Sequence, residues 1–284
     1  MAEKQHFKHN TDIGQNFLID RDVVDFIVER SAPSPEDIIL EIGPGDGVLT
    51  RGLLSRPVKS LTSIEVDERL RAGIEKIEAR HPDNYRCLWG DAVRYDYSSI
   101  TPPNKIIANL PYHITTPLLW TFLEQLVPAG VDYMLLMVQL ESAERLVSGP
   151  GSRERSPLGV TLEAMGTAEL VRKVPPSAFH PQPKVNSAIV EIKPANRRNI
   201  ANDRTWRRLL AASFTQRRKT LANNWASGYN GVDREKALSI LEAHGLKQTA
   251  RAEELSLESW LQLAKVPEFQ LKNKKTESKD VEPE

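Results

Sequence analysis

Asn109, Leu110, Pro111 and Tyr112 put an amide, a rigid turn and an aromatic face into four consecutive positions. Proline fixes one φ angle and removes one backbone donor, so the chain after Asn109 cannot relax freely. Such a segment suits gripping a flat base that carries an exocyclic amine. It also suits an ordinary strand-to-turn exit, and four residues alone do not choose between the two. Other parts of the chain do. Gly43-Pro44-Gly45-Asp46-Gly47 is a glycine run that lets backbone turn tightly and approach a ligand. Glu65 follows Gly43 by 22 residues, close to the spacing at which an acid receives ribose hydroxyls. The competing role for Glu65 is that of a helix-capping acid. Asp91 has the chemistry to accept a hydrogen bond from an adenine amino group. Together these residues describe a site for an adenosine-bearing cofactor.

Nicotinamide is the obvious rival cofactor. However, the glycines are spaced G-x-G-x-G rather than G-x-G-x-x-G. Asn109 to Tyr112 also has no role in hydride transfer, whereas it suits transfer of a methyl group to an amine.

These residues need elements to hold them. Ile38–Ile42, Leu61–Asp67, Tyr85–Ala92, Ile106–Pro111 and Tyr133–Val138 read as buried strands. Asp20 can cap a helix with Val23, Val24, Phe26 and Ile27 on its apolar face. Val48-Leu49-Thr50 opens a helix, Thr115–Leu126 is a helix with a core stripe, and Glu141–Val147 is a short one. Gly149–Pro157 is a loop, and Leu170–Val174 pairs antiparallel with Ser187–Ile192. Strands alternating with helices predict an α/β fold with a mostly parallel sheet covered on both faces. Glu65, Asp91 and Asn109 then sit at successive strand ends, where open sheets keep their ligands.

After Pro194 the strand pattern stops. Trp206–Leu221, Arg234–His244 and Leu257–Lys265 read as helices. The expected division is a mobile arm over 1–13, a sheet domain over 14–194, a small all-α domain over 195–266 and a disordered charged tail over 267–284. The 284 residues carry formal net charge +0, so any nucleic-acid surface must be local. Cys87 is the single cysteine, which excludes an internal disulfide and a multi-cysteine metal site; no metal is expected. No membrane span or signal peptide is read, and the cytoplasm is the expected compartment.

Seven stretches, in order, carry a resemblance to a known family. They are Gly14–Leu18, Glu41–Gly45, Ile64-Glu65, Gly90–Ala92, Asn109–Tyr112, Pro175–Phe179 and Gln216–Leu221. Over about residues 12–266 the chain resembles the small-subunit rRNA adenine N6,N6-dimethyltransferases, the KsgA/RsmA family. The resemblance implies a Rossmann-like class I methyltransferase domain and a helical C-terminal domain. It implies S-adenosylmethionine as cofactor and dimethylation of two adjacent adenosines in the terminal hairpin loop of small-subunit rRNA. The implied partner is that rRNA in the immature subunit, engaged by a monomer. Carried over position by position, Asn16, Leu18, Gly43, Glu65, Asp91 and Asn109 are the cofactor residues, with Gly45 in the same loop. The Asn109 side-chain oxygen and the Leu110 carbonyl would accept the two N6–H bonds of the base. Tyr112 would stack on one face of the base, and Phe179 on the other, from a rigid exposed loop of prolines; simple core packing is the competing role for Phe179.

Three positions depart from the family pattern. The arm before Gly14 is not strongly basic, Leu140 stands where lysine is common, and Pro157-Leu158-Gly159 replaces Gly-Arg-Leu-Ser. All lie outside the cofactor and target-base motifs and bear on RNA grip.

Arg197, Arg198, Arg204, Arg207, Arg208, Arg217, Arg218 and Lys219 face only Asp203 in the same stretch. In a neutral chain this local excess points to phosphate contact by Arg207, Arg208, Arg217, Arg218 and Lys219, against the alternative of a solvated helix face. On one continuous helix, Arg207, Arg208 and Arg218 would share a side. The rival activities are a resistance-type methyltransferase of large-subunit rRNA and a non-catalytic assembly or transcription factor on the same fold. Leu110 and the Gln216–Leu221 run favour the small-subunit enzyme, and intact Glu65, Asp91 and Asn109 favour catalysis.

Overall fold

The computed structural model describes residues 16–195, 200–229 and 231–270. The chain divides into two compact units between Ala201 and Asn202.

The first unit opens with β1 (Phe17–Leu18) and α1 (Arg21–Ser31), then β2 (Ile38–Ile42), α2 (Val48–Leu54), β3 (Ser60–Glu65), α3 (Arg71–Glu78) and β4 (Tyr85–Trp89). It continues with β5 (Lys105–Asn109), α4 (Thr115–Thr121), α5 (Val127–Ala129), β6 (Tyr133–Gln139), α6 (Leu140–Val147) and α7 (Pro157–Met165). It closes with β7 (Gly166–Val174), β8 (Phe179–His180) and β9 (Ser187–Pro194). A π-helical turn over Phe122–Leu126 joins α4 to α5.

Seven strands form one sheet in the order β4-β3-β2-β5-β6-β9-β7. The pairs from β4 to β6 are parallel, and β9 runs antiparallel between β6 and β7. The central strands are apolar throughout because both faces are covered. Their side chains alternate between two cores, as a period of two demands. Leu40, Ile42, Ile106, Ala108, Met134 and Leu136 point to one core, with Leu118, Leu119, Phe122 and Leu123 of the α4 segment. Ile39, Ile107, Leu135, Met137 and Ile189 point to the other, with Val23, Val24, Ile27 and Val28 of α1. Asp20 starts α1 as expected: its carboxylate accepts from the amides of Asp22 (2.9 Å) and Val23 (3.3 Å). The α4 stripe is core, with all four residues 0% exposed.

Two expectations for this unit need correction. The sheet unit runs past Pro194, because Ala201 is buried in its core and Ile200 packs against the same cluster. The loop expected over Gly149–Pro157 stops one residue earlier, since Pro157 opens α7 and Ser156 caps it, its hydroxyl accepting from the Gly159 amide at 3.1 Å. Buried Arg155 holds the preceding turn, donating to the Ser148 carbonyl at 3.1 Å and pairing with Glu163 at 2.7 Å.

The second unit contains α8 (Arg204–Ser213), α9 (Leu221–Gly228), α10 (Arg234–Ala243) and α11 (Leu257–Leu263). Trp206, Trp225, Trp260 and Phe269 are fully buried in it. The single helix expected over Trp206–Leu221 ends at Ser213, and a turn leads from it to α9, a helix that was not expected. After Phe214 no apolar residue occurs before Leu221, so a continued helix would have no face to bury. Instead Asn224 donates to the carbonyls of Ser213 (2.7 Å) and Gln216 (3.2 Å), satisfying groups that the end of α8 leaves open. Order also extends past 266. Phe269 packs its ring against Trp225 and Tyr229, with centroids 4.8 and 4.9 Å away. The remaining tail, the N-terminal arm, Gly14, Gln15, Arg197 and Arg198 lie outside the described residues.

Among the described residues no helix is long and apolar enough to cross a membrane, and no group of three or more His, Cys, Asp or Glu is placed to hold a metal.

Candidate active site

The sheet order reverses at β2, which has β3 on one side and β5 on the other. At such a switch point the connections diverge and leave a crevice beyond the carboxyl ends of the strands. A cavity of about 260 Å³ lies there, lined by Gly43, Gly45, Glu65, Asp91, Asn109 and Tyr112 among others. That size is the scale of a small-molecule site rather than of a trapped water.

The glycine run follows β2 directly. Gly43 donates its amide to the Ile64 carbonyl at 2.9 Å, tying the loop to β3. Gly45 has φ +60°, and a Cβ there would stand 3.1 Å from Cδ1 of Phe17. Gly47 has φ +81°, and its Cβ would overlap Cδ1 of Ile77 at 2.3 Å. The positive φ strains any larger residue at these two turns, and the neighbouring Phe17 and Ile77 side chains would also have to shift.

Glu65 takes the capping role and reaches the glycine loop as well. One carboxylate oxygen accepts from the amides of Val66 (2.9 Å) and Asp67 (2.8 Å), capping the turn after β3. The other accepts from the Gly45 amide at 3.3 Å, so the same side chain braces the glycine loop at the cleft wall. Burial raises its pKa above the ordinary 4.5, and the backbone amides oppose that rise. Asp91 is more open. It accepts from the Val93 amide at 2.9 Å and lies 3.8 Å from Arg94.

Asn109 ends β5. Its side-chain nitrogen donates to the Asn16 carbonyl at 3.4 Å, which orients the amide, and its side-chain oxygen has no hydrogen-bond partner among the described residues. Leu110 is fixed beside it, its amide donating to the Met137 carbonyl at 2.9 Å. Tyr112 starts a single 3-10 turn over Tyr112–Ile114, and its hydroxyl lies 2.7 Å from the Ser187 hydroxyl. Asn16 and Leu18 also line the cavity.

Phe179 is not brought to the cleft. It is 1% exposed, within β8, where it pairs with Leu18 of β1 and packs in the α1-side core. The prolines around it make a rigid connection, but the β1–β8 pairing turns this ring inward, so core packing is its role here.

Sequence reasoning missed Glu41, which is 1% exposed and lines the cavity. One of its carboxylate oxygens accepts from the hydroxyls of Thr50 (2.8 Å) and Ser63 (2.7 Å). The other is buried without a hydrogen-bond partner. Burial pushes its pKa up to about 7, against the two hydroxyl bonds that lower it. Its place two residues before Gly43, near the end of β2, was the available signal. Val66, 60% exposed in the same wall, was also missed. The buried orphan oxygen of Glu41 and the glycine cradle at Gly45 both fit a cofactor that carries a cationic group beside a ribose.

In the second unit, Arg207 and Arg208 lie on α8, whereas Arg217, Arg218 and Lys219 are exposed on the turn before α9. Arg218 therefore shares no helix side with Arg207 and Arg208. The Arg208 guanidinium sits 4.5 Å from the centre of the Tyr229 ring.

The ribosomal RNA adenine dimethylase family profile matches residues 6–268. The chain belongs to that family. It is accordingly an S-adenosylmethionine-dependent rRNA adenine dimethyltransferase. Ribosomal RNA small subunit methyltransferase A of Syntrophotalea carbinolica is 40% identical over 260 residues, 89% of this chain and 94% of the relative. Among solved structures, a dimethyladenosine transferase from Plasmodium falciparum is 28% identical with TM-score 0.73, covering 87% of this chain and 95% of that one. The 23S rRNA methyltransferase ErmE is 26% identical with TM-score 0.63, covering 88% and 98%. The Rossmann-like sheet is common to this dimethylase family and its structural neighbours.

Proposed function

We propose that this chain dimethylates N6 of two adjacent adenosines in the 3′-terminal hairpin loop of small-subunit rRNA, acting as a monomer on the immature subunit in the cytoplasm. The observation that carries the reading is the convergence of Glu65, Asp91 and Asn109 on one cleft, with the Asn109 amide nitrogen already engaged by Asn16. The relatives named for the small subunit favour that substrate over large-subunit rRNA.

The cofactor supplies a methyl group on a sulfonium, already a strong electrophile. Asn16, Leu18, Gly43, Gly45, Glu65, Asp91 and Asn109 would hold it. The nucleophile is the difficult partner, because the adenine N6 lone pair is delocalised into the ring. The Asn109 side-chain oxygen and the Leu110 carbonyl accept the two N6–H bonds and draw the lone pair out of conjugation. As positive charge develops on N6, those bonds strengthen, which is selective stabilisation of the transition state. No strong base is required before attack, since the N6 proton becomes acidic once the methyl group has moved. After the first transfer one N–H remains, so one acceptor still serves the second. A base in a hairpin loop must be extruded to reach this cleft. Tyr112 supplies a stacking face, worth about 1–3 kcal/mol per base.

The test is to map N6,N6-dimethyladenosine in rRNA from a strain lacking this gene, with and without the gene restored. Loss of both modified adenosines from the small-subunit terminal hairpin, and their return, is the expected result. An unchanged small subunit with a change in large-subunit rRNA would overturn the assignment.

A further inference from the structure

Tyr112 and Ser187 are 75 residues apart in sequence, one on the turn after β5 and the other at the start of β9. Ser187 is the first residue of β9, opposite Gln139 at the end of β6 and Val174 at the end of β7. It is 0% exposed, so its hydroxyl has a fixed position between two neighbouring strands. Tyr112 belongs to a short turn after Pro111, half-buried, with its ring at the cavity. A tyrosine on such a turn has two rotatable side-chain bonds and can swing. A second anchor at the far end of the ring removes that freedom. The 2.7 Å contact between the two hydroxyls is such an anchor, whichever of them donates.

We propose that Ser187 is a positioning residue for the target base: its hydroxyl fixes the long axis of the Tyr112 ring against which the extruded adenine stacks. The inference rests on the stacking role proposed above for Tyr112. A ring held in one place sets where N6 meets the methyl group, and in-line transfer is sensitive to small errors of placement. The anchor touches neither cofactor nor base, so it acts on turnover rather than on binding. A hydroxyl in this place also leaves the ring's stacking face unobstructed, which a bulkier wedge from β9 would not.

The test uses the full chain with Tyr112→Phe, Ser187→Ala, the double variant and Tyr112→Ala, assayed on small-subunit particles from a strain without the modification. Loss of one hydrogen bond should lower kcat roughly three- to tenfold in Tyr112→Phe and in Ser187→Ala. KM for the particle and affinity for S-adenosylmethionine should stay within about twofold. The double variant should be no worse than the worse single, because both changes remove one bond. Multiplied effects in the double variant, or a wild-type kcat in either single, would overturn the proposal. Tyr112→Phe leaves the buried strand untouched, so it decides the matter alone where Ser187→Ala lowers the melting temperature. Tyr112→Ala separates the two ideas. If it is inactive while both singles are wild-type, only the anchor fails; if it keeps a wild-type kcat, the stacking role fails and takes the anchor with it.

Discussion

At the scale of single residues, Glu41 is where folding and site chemistry oppose each other. A carboxylate with one buried, unpartnered oxygen is held at a pKa of about 7, against an ordinary 4.5, chiefly by burial. The folded state therefore keeps a proton that the unfolded chain releases, and stability falls as pH rises through the window from about 4.5 to 7. Glutamine cannot ionise. Without cofactor, Glu41→Gln should melt a few degrees above the parent at pH 8 and lose that advantage by pH 5, measured by calorimetry. An equal difference at both pH values would contradict the raised pKa. The residue scale also shows where sequence reading stops. Glu65, Asp91 and Asn109 were legible because strand, turn and spacing are local signals. Phe179 was not, since its exposure depends on pairing with Leu18, across 161 residues. The Tyr112–Ser187 contact left no trace in sequence for the same reason.

Among the elements, the strands were legible because the apolar runs are both short and buried on two faces. The α7 helix was missed because Leu158, Gly159, Val160, Thr161 and Leu162 are all buried, so no polar face gave it a period. The turn after α8 was read as helix, and α9 was missed, because Asn224, which closes that turn, reads as an unremarkable polar residue until its two carbonyl partners are seen. The α1 helix is fastened to the sheet by Glu191. This carboxylate accepts from Arg30 twice (2.9 and 2.8 Å), from the Tyr133 hydroxyl (2.9 Å) and pairs with Lys193 (2.8 Å). Burial alone would raise its pKa, but the bonds from Arg30, Lys193 and Tyr133 outweigh that and bring it to about 2. A depressed carboxylate stabilises above its unfolded pKa, and the contribution is lost as pH falls from about 4.5 toward 2. Glu191→Gln should lower the melting temperature by a few degrees at pH 7, with the gap narrowing by pH 3. A gap that does not depend on pH would mean that the cluster works by shape rather than charge.

For the whole molecule, zero net charge means that RNA attraction must come from a local concentration of cations. The helical unit supplies one, and the structure refines which residues test it. Arg208 stacks on Tyr229, so removing it disturbs the unit itself. Arg218 and Lys219 are exposed on the turn between α8 and α9 and are the cleaner pair. If both contact phosphates, the double alanine variant should reduce the slope of log affinity against log salt by about 1.4–1.8. Native and scrambled hairpins should weaken alike, because phosphates carry no sequence information. A wild-type slope would return these cations to a solvated surface.

The central claim is that Asn109 acts on the transition state, through an acceptor that strengthens as N6 becomes positive. Its most direct test is the single-turnover methylation rate of Asn109→Ala with both RNA and S-adenosylmethionine saturating, beside a measured RNA affinity. Saturation is needed because Asn109 also lines the cleft proposed to hold the cofactor. The account predicts RNA binding within about twofold of the parent and a rate lower by about 100-fold or more, as when a single oxyanion-type contact is lost. A variant that keeps most of its saturated rate, or that loses RNA binding in proportion to rate, would contradict it.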